Sequence, residues 1–300
     1  MKNIELKAFQ EAVKNLGFRG MVVYQDGEQL VHYQAQPEER QNQYSVTKSF
    51  TSTAVAFAVQ EGRFSLDDYV LEHFREDAPE APSENLGKMR LRHLITMSMG
   101  FEKPMLMGAM RPKMTETDWV KFVLRANVAH EPGTCFQYNN AGPYLLGILV
   151  QRKAGCSLME YLTPRLFAPL GIPVPECEKD PLGHTFGAGG LQMNVSELAK
   201  FGLFYLNRGK WNGQQLLPDA WFDEAVTEKI EADEGDGEIG RHYAYLFWTM
   251  PEGMYRADGK NGQYCVVYPK KQAVIAVNSM ETKREKDILR AVVRTIVPQL

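Results

Sequence analysis

The 300-residue sequence lacks the features that would assign it to a membrane, a polymer or a metal. Its longest apolar stretches, Ala54 to Val59 and Tyr144 to Val150, are far shorter than the ~20 residues of a bilayer-spanning helix. No apolar run of signal-peptide length precedes Gly17, and Glu5 interrupts the start. The expectation is therefore a soluble, cytoplasmic protein with no membrane partner. Charge of one sign is also lacking: 34 basic and 37 acidic residues leave a net charge of -3, which gives no pull toward nucleic acid. Pairs such as Lys270 and Lys271 read as solvated turns. The four cysteines, Cys135, Cys156, Cys177 and Cys265, have no close pairing, which argues against a disulfide framework or zinc knuckle and for reduced, mostly buried thiols. The six histidines are scattered without metal-ligand spacing. Neither a Walker loop nor a dinucleotide fingerprint occurs, so no metal and no cofactor is expected. Gly-x-Ser-x-Gly is absent too, which excludes the nucleophile elbow as the source of a reactive serine.

What is present is an ordinary globular composition, 44% hydrophobic and 24% charged, long enough for one large domain or two interleaved ones. Ile4, Phe9, Ala12, Val13 and Leu16 predict an amphipathic helix ended by Gly17. Gly20 to Tyr24 and Gln29 to Tyr33 flank Asp26-Gly27, a dipeptide that tolerates positive φ and predicts a hairpin. A helix is predicted over Ser45 to Gln60, stopped by Gly62. From there to about residue 237 the pattern is helices joined by Pro- and Gly-rich loops, clearest at Leu94 to Met97, Trp119 to Leu124, Tyr144 to Arg152 and Leu198 to Leu206. Glu231 to Glu238 reads as a solvated acidic loop. Period two then returns in Tyr243 to Met250, Met254 to Ala257, Tyr264 to Tyr268 and Ala273 to Asn278, before a final helix over Lys286 to Val297. That order predicts an α+β fold: an antiparallel β-sheet flanked by helices, built from residues 1–62 and 238–300, with an inserted, mainly helical domain over 63–237. A ligand belongs in the cleft between them.

Three short motifs carry chemistry. In Ser45-Val46-Thr47-Lys48 the i,i+3 spacing on a helix brings a hydroxyl and an amine together. The amine can take the serine proton only if burial or a nearby cation lowers its pKa. The competing reading is a solvated helix face, although no other serine in the chain has a lysine three positions on. Tyr138-Asn139-Asn140 supplies a phenol able to shuttle a proton and a carboxamide able to hold both a substrate amide and Lys48; its competing reading is helix capping ahead of Pro143. Lys260-Asn261-Gly262-Gln263 precedes a strand. Lys260 offers positive field, Gly262 lets substrate approach the strand edge, and the N–H of Gln263 is a second oxyanion donor beside that of Ser45. A plain surface turn is the competing reading.

In this order and setting the three motifs resemble the Ser-x-x-Lys, Tyr-x-Asn and Lys-x-Gly signature of the serine beta-lactamase and penicillin-binding-protein superfamily. The segments Leu91 to Gly100, Pro132 to Leu146, Leu166 to Ile172 and Gly187-Ala188-Gly189-Gly190-Leu191 resemble connecting segments of the same superfamily, so the likeness covers nearly the whole chain. Tyrosine in the second motif points to the branch with class C beta-lactamases, carboxylesterases, DD-peptidases and 6-aminohexanoate-dimer hydrolases. The resemblance implies catalytic Ser45, Lys48 and Tyr138, with Asn140, Lys260, Gly262 and Gln263 on the substrate. Asn261 departs from the Thr or Ser that many members use for a substrate carboxylate. The expected activity is thus hydrolysis of a small ester or amide through a Ser45 acyl-enzyme. The alternatives are a beta-lactamase or DD-peptidase acting on a beta-lactam or peptide, and a ligand sensor acylated without turnover. The sequence carries no signal for oligomeric state.

Overall fold

The computed structural model describes residues 3–300, giving only the backbone for 233–236. Its centre is an eight-stranded, wholly antiparallel sheet assembled from both ends of the chain. The strands are β1 (Phe18–Gln25), β2 (Glu28–Gln34), β3 (Ile230–Asp236), β4 (Gly240–Tyr243), β5 (Trp248–Thr249), β6 (Tyr255–Gly259), β7 (Gln263–Tyr268) and β8 (Ala273–Ser279), in the spatial order β2-β1-β8-β7-β6-β5-β4-β3. β1 and β2 turn at Asp26 and Gly27, both at positive φ (51° and 81°), as the dipeptide predicts.

Alternation along the central strands sends apolar side chains to both faces. Met21, Val23, Val266, Ile275 and Val277 face a cluster with the terminal helices, through Phe9 and Val13 of α1 (Lys7–Val13) and through Ile288, Leu289 and Val292. Val22, Cys265, Val267, Val274 and Ala276 face the larger cluster that runs into the helical region. With both faces covered, these strands read as nearly continuous apolar runs.

Two long helices lie behind the site. α2 (Thr47–Gln60) is buried on every side from Thr47 to Ala58. Three of its buried hydroxyls donate to main-chain carbonyls: Ser49 Oγ to Leu246 O (2.8 Å), Thr51 Oγ1 to Gly187 O (2.6 Å) and Thr53 Oγ1 to Ser49 O (2.9 Å). A helix apolar or hydroxyl-bearing all round is a central one. α3 (Ala141–Ala154) packs beside it and ends at Gly155 in the left-handed conformation. Helix Val195–Leu206, from within the 63–237 range, packs on β1, β7 and β8.

Four expectations are corrected. The acidic stretch Glu231 to Glu238 is mostly strand β3 rather than a loop, and it lies at the sheet edge, where charged residues discourage pairing with another chain. Tyr243 to Met250 is not one strand, because a tight turn with Leu246 at φ 61° separates β4 from β5. The helix predicted from Ser45 begins at Thr47, after a 3-10 turn over Tyr44–Val46. Of the cysteines only Cys265 is fully buried; the other three are half-buried, and all four are free thiols. No helix among the described residues is long and apolar enough to cross a membrane.

Candidate active site

Ser45 is held between the sheet and the helical region. The residues before it are pinned by a short two-stranded pairing of Gln41–Asn42 with Gln192–Met193, and Asn42 Oδ1 accepts from the N–H of Tyr44 (2.7 Å). Tyr44 itself sits at φ 47°, a conformation costly for a bulky residue and most often retained where function needs it. Its carbonyl accepts from Thr47 Oγ1 (2.6 Å), which in turn accepts from the N–H of Leu191 (3.1 Å). On the sheet side β6 approaches so closely that a Cβ on Gly259 would lie 2.3 Å from Gln43 O.

The structure joins Ser45 and Lys48 as the spacing predicts. Lys48 Nζ lies 2.8 Å from Ser45 Oγ and donates to Ala188 O at 2.7 Å. Lys48 is almost wholly inaccessible, at 1% exposure. Burial is the main cause, with the Arg111 cation adding to it against the opposing pull of Asp258, that brings its pKa from 10.5 down to about 7. An amine half-neutral at pH 7 and touching a hydroxyl can accept that hydroxyl's proton, which a solvated lysine cannot do efficiently.

Tyr138 lines the same cavity as Ser45. Its ring centre is 5.1 Å from Lys48 Nζ, stacks against Trp248 and meets Tyr243 edge-on. Two adjacent asparagines divide two duties. Asn139 does the capping, its Oδ1 accepting from the N–H groups of Ala141 (2.9 Å) and Met105 (3.0 Å). Asn140 makes no cap and does not hold Lys48 as expected, because the Lys48 amine goes to Ser45 and Ala188. The Asn140 Nδ2 donates to Leu106 O (2.8 Å), while its Oδ1 is buried without a donor. A buried acceptor left this way costs stability, and here it borders a cleft that also contains Ser45.

Lys260, Asn261 and Gly262 form the turn between β6 and β7. Lys260 is exposed and lines the cleft. Asn261 and Gly262 are at φ 64° and 85°, and the Asn261 Nδ2 donates to the Tyr44 hydroxyl (2.9 Å). Gln263 opens β7 with its side chain turned inward, its Oε1 accepting from Gln41 Nε2 (2.7 Å) and its Nε2 donating to Ser279 O. Gln263 is fully buried, and neither it nor Gly262 lines the cleft that holds Ser45.

Two hollows meet at Ser45, Tyr138 and Lys260. The larger, about 560 Å³, runs past Tyr44, Met107, Arg111, Asn140 and Glu178; the smaller, about 240 Å³, is bounded by Trp248, Arg256, Asp258 and Glu285. Arg256 is nearly buried, paired with Asp258 (2.8 Å) and set against the face of Trp248. Tyr44, Arg111, Glu178, Trp248, Arg256 and Asp258 were not singled out from the sequence. Arg256 and Asp258 lie on β6, which leads into the Lys260 turn, and Trp248 lies on β5 beside it, whereas Arg111 and Glu178 come from segments distant in the chain. Among the described residues the one compact group of possible metal ligands is Asp68, Glu72 and His73, apart from this cleft.

A buried lysine beside a serine at the start of a central helix, on a helix-flanked antiparallel sheet, defines the class as a serine hydrolase fold. The profile of the family described as Beta-lactamase matches residues 7–295, and the chain belongs to that family. It is similar to an uncharacterized protein of Alkalihalophilus pseudofirmus, 28% identical over 269 residues, covering 78% of this chain and 72% of the relative. Protein flp of Staphylococcus aureus is 28% identical over 149 residues, but this covers 49% of the chain and 29% of that protein. In fold the chain resembles a Bacillus anthracis protein proposed to be a 6-aminohexanoate-dimer hydrolase (TM-score 0.80, 20% identity, 96% of this chain and 80% of that one). It also resembles an octameric penicillin-binding protein homologue from Pyrococcus abyssi (TM-score 0.76, 21% identity, 98% and 76%). A third likeness is to EstCE1, a hydrolase with promiscuous acyltransferase activity (TM-score 0.76, 15% identity, 96% and 98%).

Proposed function

We propose that this chain hydrolyses a small carboxylic ester or amide through an acyl group carried on Ser45. The observation that carries the reading is the 2.8 Å contact between Ser45 Oγ and the Nζ of a buried Lys48 with a pKa of about 7. Neutral Lys48 keeps one N–H on Ala188 O and accepts the Ser45 proton as Oγ bonds to the substrate carbonyl carbon. The N–H groups of Ser45 and Gln263 are the donors for the oxyanion that forms. Tyr138 passes the proton to the departing alcohol or amine as its bond to carbon breaks. Asn140 Oδ1 accepts from a donor on the substrate, and Lys260 supplies positive field at the mouth. A water molecule, activated by the same base, then attacks the acyl carbon and restores the Ser45 hydroxyl.

The Asn261 carboxamide supports an ester or amide over a penicillin, because it is buried and gives an N–H to Tyr44 where many relatives by motif place a hydroxyl for a substrate carboxylate. The likeness in fold to EstCE1, named as a hydrolase with promiscuous acyltransferase activity, supports an acyl-transfer reading. Intact-mass measurement after treatment with a fluorophosphonate should show one adduct on the wild type and none on Ser45→Ala. An unmodified wild type with several such probes would overturn the reading. Nitrocefin hydrolysis outpacing that of short p-nitrophenyl esters would replace it with a beta-lactamase, and acylation persisting for hours with every ester would replace it with a sensor.

A further inference from the structure

Arg111 lies outside the three motifs, yet its guanidinium touches the carbonyl on which Asn140 rests and the loop that carries the Lys48 acceptor. Nε and Nη2 reach the Glu178 carboxylate at 3.0 to 3.2 Å, the forked arrangement in which arginine holds a carboxylate most firmly. Nη1 donates to Leu106 O (2.9 Å). That carbonyl also accepts from Asn140 Nδ2 (2.8 Å), so one oxygen fixes both side chains and leaves the Asn140 Oδ1 without a donor at the cleft. Leu106 is fully buried at φ 56°, a conformation its neighbours must hold in place. The guanidinium also covers the ring of Phe186, 4.3 Å from its centre. Phe186 lies two residues before Ala188, whose carbonyl takes a hydrogen bond from Lys48, and its own N–H donates to Glu178 O (2.8 Å). Arg111 therefore braces the 178–190 loop at two points, Glu178 and Phe186.

We infer that Arg111 is a positioning residue of this site, which aims the Asn140 carboxamide, seats the loop carrying Ala188, and adds its positive charge to the surroundings of the buried Lys48. The last part rests on the hydrolase reading for its use in catalysis, but not for its measurement. The charged and titratable groups around Lys48 are Arg111 and Glu178 on the cleft wall, Asp258 and Lys260 on the sheet edge with Arg256 behind Asp258, and the Tyr138 phenol. Of the cations, Arg111 is the one whose field lowers the Lys48 pKa, and burial of Lys48 leaves little water to screen it.

A purely structural brace and an electrostatic one respond differently to substitution. Arg111→Gln removes the charge and the fork, Arg111→Lys keeps the charge but loses the fork, and Glu178→Gln keeps the cation and removes its counter-charge. The direct readout is the Lys48 titration by NMR of protein carrying 13C at lysine Cε, the signal assigned through Lys48→Ala. The expected result is an upward move of the midpoint by about half a pH unit or more in Arg111→Gln, and none or a downward move in Glu178→Gln and Arg111→Lys. Ser45 acylation by a fluorophosphonate should then slow in Arg111→Gln more at pH 6.5 than at pH 9. In Arg111→Lys the KM for an ester should rise several-fold with kcat little changed, because Asn140 loses its aim. Equal midpoints in folded Arg111→Gln and wild type, or equal shifts in Arg111→Gln and Glu178→Gln, would overturn the inference. A wild type that is not acylated at all would sink the hydrolase reading, while the titration would still decide the role of Arg111.

Discussion

Burying Lys48 should make the protein less stable below neutral pH than above it, by an amount that one substitution isolates. The ordinary lysine pKa of 10.5 applies to the unfolded chain, whereas in the fold it is about 7. Between those values the unfolded state binds the extra proton, so unfolding free energy rises with pH. Below about pH 7 both states are protonated and the whole cost of the buried cation is present; above about 10.5 both are neutral and the cost is gone. At about 1.4 kcal/mol per pH unit the interval corresponds to on the order of 5 kcal/mol, large against a typical net stability of ~5–15 kcal/mol. Lys48→Met keeps the unbranched shape and removes the titration. It also strips a donor from Ser45 Oγ and Ala188 O, a loss of about 1–3 kcal/mol that does not change with pH. The assay is urea unfolding of both proteins at half-unit steps from pH 6 to 9.5. The variant's stability relative to wild type should fall steadily as pH rises from 7 to 9.5, by roughly 3 kcal/mol over that range. A difference flat within 0.5 kcal/mol would show that Lys48 titrates as an ordinary lysine, and the base assigned to Ser45 would then have to be another group.

Asn140→Ala should cost less than about 1 kcal/mol in urea unfolding, since Leu106 O keeps its bond from Arg111 and an unsatisfied carbonyl is removed, while Ser45 acylation by an amide or ester slows by roughly 10- to 100-fold. Equal losses in stability and rate would make Asn140 a structural residue. Gly259→Ala places a methyl 2.3 Å from Gln43 O, a main-chain atom that cannot swing aside. Unfolding should show a loss of about 1–3 kcal/mol and acylation should be slow, because the Ser45 turn is displaced. Gly27→Ala, at φ 81° with open space around the new methyl, is the control. It should lose about 1 kcal/mol to backbone strain and acylate at the wild-type rate, and a Gly259→Ala protein that behaves the same way would refute the close seating of β6.

What could be read from the sequence is what depends on neighbours in the chain. Ser45 and Lys48 are three residues apart, so helical geometry alone brings them together, and Asp26-Gly27 needs no tertiary partner to turn. The strands of the sheet were legible wherever both faces were apolar, as at Ala273 to Asn278, but not at β3, where an edge position allows a run of acids that reads like a loop. In α2 the apolar periodicity was visible and the burial of its hydroxyl face was not, because the acceptors that make this tolerable, Leu246 O and Gly187 O, are far away in the chain.

The asparagine pair shows most directly why the rest was hidden. Asn139 and Asn140 are the same residue one position apart, and either could cap the helix that follows. The choice is made by Leu106 O, which captures the Asn140 amide, and by Met105 N–H, which joins Ala141 N–H on Asn139. Both partners come from a loop more than thirty residues earlier, whose shape depends on Arg111. One arginine among 34 basic residues carries no mark of that duty in the sequence. The reacting pair needs only a helical turn, whereas the groups that set its protonation and aim it at a substrate are assembled by tertiary contacts, so the chemistry of the site is legible well before its specificity.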